Sequence, residues 1–240
     1  MPADALLAAA DALSARLAPL RFAAPVSAVY NPLVYARRLH ESYLRRFAKR
    51  HVAVLFVGMN PGPFGMVQTG VPFGEVNTVR DWLGLSGTVD QPVPVHPRRP
   101  VQGLDCPKSE VSGRRLWGLF QARFKTPEAF FAEHFVENWC PLAFMDEDGA
   151  NLTPDKLPAA EREPLEAACD AHLAQVVAAL KPTWVIGVGG FAQKRAQEAL
   201  AKVKGVQIGT ILHPSPASPA ANRDWSGQAT KQLTELGIWK

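Results

Sequence analysis

Apolar residues recur along this chain with two different periods. Leu6, Ala10, Leu13 and Leu17 return every three or four positions, the spacing of a helix with one buried face. Similar patterns predict helices over residues 34–50, 75–83, 112–124, 164–180, 191–203 and 227–236. Between them lie short strand-like segments: VAVLFVG at 52–58, a continuous apolar run with β-branched residues, then the start of HFVENWCPLAF at 134–144, TWVIGVGG at 183–190 and VQIGTIL at 206–212. Such a continuous run is a strand buried on both faces. Strands alternating with helices predict an α/β fold, three layers (α/β/α) around a central parallel sheet of about four strands. Residues 1–24, an amphipathic helix and its Pro-broken exit, are expected to pack on one domain spanning 1–240.

The loops that leave these strands carry the polar chemistry. GMNPGPFGM (58–66) follows the first strand and HPSPASPAANR (213–223) follows the last. In a parallel sheet, reactive groups collect on the loops beyond the carboxyl ends of strands. Asn60 and His213 are suited to base chemistry, on backbone stiffened by Pro61, Pro63, Pro214, Pro216 and Pro219. Asn138 ends a third strand. Together these loops suggest a site that grips and cleaves an extruded nucleobase. GVGG (187–190) lacks the GxGxxG spacing of a dinucleotide site and reads as close strand–helix packing. Residues 86–108, rich in Pro and Gly, read as a long surface loop.

Charge and composition narrow the classes. The net charge of +4 fits an anionic partner without requiring one. The basic stretch at 34–50, with Arg98 and Arg99, offers phosphate contacts or simply a solvated face. Cys106, Cys140 and Cys169 stand far apart, which argues against a zinc ribbon, an iron–sulfur cluster or a disulfide framework. His134 and His172 sit on apolar faces and read as structural. No apolar run is long enough to span a bilayer, and the start lacks a basic leader region. A cytoplasmic place is expected, at the nucleoid of a bacterium or in the nucleus of a eukaryote.

Longer strings carry a family resemblance. GMNPGPFGMVQTGVPFGEV (58–76), VRDWLGL (79–85), CPKSEVSG (106–113), ENWCPL (137–142), NLTP (151–154) and HPSP (213–216) together resemble the single-strand-selective monofunctional uracil-DNA glycosylases of the uracil-DNA glycosylase superfamily. The resemblance covers roughly residues 25–238. Common uracil-DNA glycosylases place Asp at position 60 and Tyr at position 62. Mismatch-specific relatives lack the histidine of the second motif.

The resemblance implies an enzyme that removes uracil and 5-substituted uracils such as 5-hydroxymethyluracil from single- or double-stranded DNA, leaving an abasic site. It implies no metal and no cofactor, and nothing demands more than a monomer. Asn60 and His213 would be catalytic: Asn60 positions a water, and His213 donates to the O2 of the leaving base. Met59, Gly62, Met66, Phe73 and Asn138 would bind the base. Phe73 stacks on it, Asn138 reads N3–H and O4, and Gly62 leaves room at position 5. Pro214, Ser215, Pro216, Ala217, Ser218 and Arg223 would meet the DNA, with Ala217 smaller than the residue many relatives carry. The rival within the superfamily is a glycosylase for mismatched or deaminated purines such as xanthine and hypoxanthine. A non-catalytic damage-binding module is the rival of another class.

Overall fold

The computed structural model describes residues 1–240. Its strands are β1 (Ala28–Tyr30), β2 (Val54–Gly58), β3 (His134–Asn138), β4 (Ala143–Met145), β5 (Asn151–Leu152), β6 (Trp184–Val188) and β7 (Gln207–Ile211). The α-helices are α1 (Pro2–Leu17), α2 (Pro32–Tyr35), α3 (Arg37–Phe47), α4 (Met66–Thr69), α5 (Val111–Phe124), α6 (Pro127–Phe131), α7 (Ala159–Leu180), α8 (Gly190–Ala199) and α9 (Pro219–Glu235). A π-helical turn covers Thr78–Trp82, and 3₁₀ turns cover Gly103–Asp105 and Pro154–Lys156.

Four strands form the parallel sheet, in the order β3-β2-β6-β7. β2 and β3 are buried at every position; β2 accordingly runs apolar without alternation, whereas β3 buries the polar His134, Glu137 and Asn138. The chain steps from β2 to β3 on one side and later returns to β6 on the other. That reversal opens a crevice above the carboxyl ends of the strands, where ligands bind in open α/β sheets. Gly58 and Asn138 are register partners at that end, and Val188 pairs with Ile211 beside them. The α/β fold with its parallel sheet is as expected.

Packing explains the details. One large core joins Leu6, Leu13 and Leu17 of α1 to the sheet helices. An aromatic cluster fills one face of the sheet: Phe47 stacks on Phe131 at 4.1 Å, and Phe120 on Phe130 at 4.3 Å. GVGG proves to be a packing device. A Cβ at Gly187 would come within 2.3 Å of the Gln193 backbone nitrogen on α8.

Several expectations need correction. A second, antiparallel sheet, β1-β4-β5, flanks the first, and β4 occupies residues read as a loop. α7 begins at Ala159, and Pro164 lies inside it. α9 begins at Pro219, not at 227. It bends at Asp224, which leaves helical geometry at φ −161° and ψ 80°. The start of α4 at Met66 and the short helix α6 were not expected. The basic helix is shorter than 34–50, spanning Arg37–Phe47.

Candidate active site

A cavity of about 500 Å³ opens above the carboxyl ends of β2, β3 and β7. Met59, Asn60, Gly62, Phe73, Asn138, His213, Ser215 and Pro216 all line it. Two loops and a strand end far apart in sequence thus meet in one place.

Asn60 is held by one end. Its Nδ2 donates to the Leu142 carbonyl at 3.2 Å. This fixes which way the amide faces, and its Oδ1 receives no protein donor. An amide oxygen of this kind can accept from a water but cannot titrate near neutral pH.

His213 is held by its own loop. The Ser215 backbone N–H donates to His213 Nδ1 at 3.1 Å. A neutral imidazole carries one proton, so that proton sits on Nε2. Burial pushes the pKa of His213 below its ordinary value, so the ring is neutral at physiological pH. The ring backs onto Gly189, where an added Cβ would stand 3.0 Å from His213 Cβ.

Asn138 lies at the buried floor, 4% exposed. Its Nδ2 meets Met66 Sδ at 3.2 Å, while its Oδ1 is buried with no partner. An unpartnered buried acceptor costs about 1–3 kcal/mol, a penalty that an incoming donor would remove. Its own backbone N–H donates to Glu137 Oε1 at 2.9 Å, and burial raises the pKa of that carboxyl to about 7.

Phe73 is the aromatic wall, 6.4 Å from the His213 ring between centroids. Its φ of 53° is unusual for so bulky a residue, and such strain gathers at functional sites. Thr69 Oγ1 braces the turn by donating to the Gly74 carbonyl at 3.0 Å. Gly58 makes space beneath. A Cβ there would lie 2.3 Å from Asn138 Oδ1 and 2.4 Å from the Phe73 ring.

Two residues expected at the base pocket have close neighbours. The Met66 side chain is buried against Asn138, its Sδ on Asn138 Nδ2. The space beside Gly62 is not empty: the Glu110 carboxyl fills it, 2.6 Å from where a Cβ would be.

The second loop divides into a braced base and an exposed crest. Pro214 is buried, and its carbonyl accepts from Arg115 Nη1 at 3.0 Å. Ser215 Oγ accepts from the Ala217 N–H at 3.1 Å, and Ser218 caps α9 through the Ala221 N–H at 3.3 Å. Asn222 Nδ2 donates to the Pro216 carbonyl at 2.8 Å and Asn222 Oδ1 accepts from Arg115 Nη2 at 2.9 Å. Pro216, Ala217 and Arg223 are exposed. Pro214 and Ser218 therefore shape the loop, and the crest is left to contact a ligand.

Most arginines of the basic helix are paired with acids, while two cations flank Phe64, which lines the cavity. Arg99 lies 5.4 Å and Lys108 4.9 Å from the centre of the Phe64 ring. On α3, Arg37 pairs with Asp11, Arg45 with Asp4 and Glu41, and Arg46 with Glu128. Arg38 donates to Thr88 Oγ1 at 2.6 Å, and Arg98 pairs with Asp148 at 2.6 Å. His134 and His172 are buried away from the cavity. No three His, Cys, Asp or Glu side chains are grouped to hold a metal ion.

Sequence reasoning missed Glu110, Arg115 and Lys108. Glu110 and Lys108 stand inside the CPKSEVSG string, where an acid and a base in a Pro-bounded segment follow no helical or strand period. Arg115 lies on α5, and only the tertiary fold brings it to the second loop.

Comparison with known proteins places this geometry in a family. The model of the uracil DNA glycosylase superfamily matches residues 45–234. The chain is 52% identical over 227 residues to a single-strand selective monofunctional uracil-DNA glycosylase of Rattus norvegicus, covering 94% of this chain and 82% of that protein. Relatives of the same description from Mus musculus and Bos taurus are also 52% identical over 94% of this chain, with 81% and 84% of their own lengths covered. The crystal structure of wild-type SMUG2 from Pedobacter heparinus superposes with a TM-score of 0.66 over 95% of this chain and 97% of that one. At 18% identity that likeness speaks for the fold alone.

Proposed function

This chain belongs to the uracil DNA glycosylase superfamily, and from that premise we propose that its cavity takes an extruded uracil from DNA and hydrolyses the bond to the sugar. The observation that carries the reading is the joint orientation of three groups in one cavity. They are a histidine whose proton is held on Nε2, an asparagine oxygen without a protein donor, and a buried asparagine acceptor without a partner.

The chain is a monofunctional uracil-DNA glycosylase of base-excision repair, a hydrolase of N-glycosidic bonds. Its target base lies inside a stack, so the nucleotide must be turned out or taken from a single strand, at a cost of about a few kcal/mol. The crest at Pro216 and Ala217, with Arg223, is suited to fill the gap. Asn138 Oδ1 accepts from uracil N3–H, and its Nδ2 donates to O4. Cytosine presents the opposite pattern and leaves both groups unpaired. Phe73 stacks on the ring.

As the N1–C1′ bond breaks, the sugar becomes oxocarbenium-like and negative charge moves onto the base. His213 Nε2–H faces O2 and stabilises that charge without transferring a full proton. Asn60 Oδ1 orients the water that then adds at C1′. The finer reading is that 5-hydroxymethyluracil is also a substrate and thymine a poor one. Both DNA forms are accepted, the protein works as a monomer, and it acts where the DNA lies, at a nucleoid or in a nucleus.

The test uses labelled oligonucleotides carrying one uracil, single-stranded or paired with G or A. Alkali-labile breaks at the uracil are expected on all of them. Asn60→Ala is expected to bind the same DNA but cleave it very slowly. Near-normal single-turnover rates in that variant would remove Asn60 from the mechanism.

A further inference from the structure

Glu110 is the one carboxyl of the cavity that the mechanism leaves unused. Its Oε2 is buried and has no hydrogen-bond partner. The carboxyl lies against two glycines of the first loop. A Cβ at Gly62 would be 2.6 Å from its carboxyl carbon, and one at Gly65 1.9 Å from Oε2. The glycines therefore accommodate an acid delivered by another segment. Burial, and after it the charge of Glu75, raises the pKa of Glu110 to about 7. Glu75 is itself occupied, accepting from the Thr78 backbone N–H and hydroxyl at 3.0 and 3.2 Å.

What Glu110 faces follows from the orientation proposed above, on which this inference rests. His213 takes the O2 side of the base, Asn138 takes N3 and O4, Phe73 takes a ring face, and Asn60 stands by the sugar. Going round the ring, the edge left over is C5–C6. Among the lining residues not yet used, Glu110 is the one whose carboxyl lies against Gly62, on the first loop. We propose that Glu110 is a specificity-determining residue, whose buried carboxyl pairs with a hydroxyl-bearing group on C5 and disfavours a methyl there.

The chemistry does not depend on the protonation state. A hydroxymethyl group both donates and accepts. It can give its hydrogen to an ionised carboxylate or take one from the neutral acid. A methyl group can do neither. Thymine would seal Oε2 against carbon, with no water to replace the missing partner. Uracil, with hydrogen at C5, leaves room for water beside the acid.

The test measures single-turnover excision of 5-hydroxymethyluracil, thymine and uracil from one oligonucleotide sequence, each rate divided by the uracil rate of the same variant. For Glu110→Ala the hydroxymethyluracil ratio should fall by ~10- to 100-fold and the thymine ratio should rise. Glu110→Gln keeps a donor and an acceptor, so it should stay within about threefold of wild type. Glu110→Leu fills the same space without polarity and should favour thymine over hydroxymethyluracil, which covers the case of a poorly folding alanine variant. Unchanged ratios in the alanine and leucine variants would overturn the role of Glu110 alone. A wild-type protein that cleaves uracil but not hydroxymethyluracil would overturn the 5-substituent reading, and this inference with it.

Discussion

One backbone amide decides which nitrogen of His213 carries the proton. Because the Ser215 N–H occupies Nδ1, the ring can only donate from Nε2 into the cavity. Protonating the ring would require Nδ1 to give up that bond, and burial already opposes the charge. Nitrogen-15 NMR of histidine-labelled protein should therefore show His213 as the Nε2–H tautomer, titrating below the ordinary value. Observation of the Nδ1–H tautomer would contradict the assignment. Removing the ring should also be costly. His213→Ala is expected to lower single-turnover uracil excision by ~100- to 1000-fold, the typical loss of a donor to a developing negative charge. A loss below tenfold would mean that the charge is stabilised elsewhere.

At the scale of elements, the site depends on what two loops and a helix do for each other. Arg115 on α5 ties the Pro214 carbonyl and Asn222 together, so one guanidinium holds the second loop against its helix. Arg115→Ala should loosen the crest and leave the cavity floor intact. KM for DNA should then rise several-fold more than kcat falls, as steady-state kinetics would show. The floor has its own weak point. Gly58→Ala would push its Cβ into both Asn138 and Phe73. Uracil excision should drop, and discrimination against cytosine should weaken, because Asn138 can no longer hold its place. These couplings also mark where the sequence was readable. Asn60 and His213 were legible because each follows an apolar strand on the same side of a parallel sheet, and Asn138 because it ends a third such strand inside a string that carries the family resemblance. The β1-β4-β5 sheet was not, since strands of two or three residues are too short to show any period. The early start of α7 was hidden by Pro164, and that of α9 by a Pro-rich run that also reads as loop. Glu110 was hidden for another reason: its meaning lies in its approach to Gly62 and Gly65, a contact between distant segments.

For the whole molecule, buried titratable groups set the pH range of the fold. Burial lowers the pKa values of His40 and His172 to about 4, and shifts His134 and His213 downward. In the unfolded chain these rings titrate near ~6.5. Below that pH the unfolded state binds more protons, so stability is lost as pH falls from about 6.5 toward about 4. Glu110 and Glu137 act in the opposite sense. Each is raised from 4.5 to about 7, so the folded state binds more protons between those values, and stability declines as pH rises through that window. The downward shifts of all four rings act on the acid side, and above ~6.5 only the acids act. Denaturation midpoints should therefore peak near pH ~6.5. Glu137→Gln should flatten the decline above the peak. A midpoint that rises steadily through pH 8 would refute this account.

The ion pairs along α3 have a consequence for how the protein finds damage. Its paired arginines have no charge left over to displace the counterions condensed on a nucleic acid. The cations that remain beside Phe64 and at the crest are few: Arg99, Lys108 and Arg223. Each phosphate neutralised on a single strand contributes a slope of about −0.7 to log K against log salt, so the whole slope should be no steeper than about −2. With so shallow a salt dependence, the dwell time at a uracil should respond far more to changes in the cavity than to changes in ionic strength.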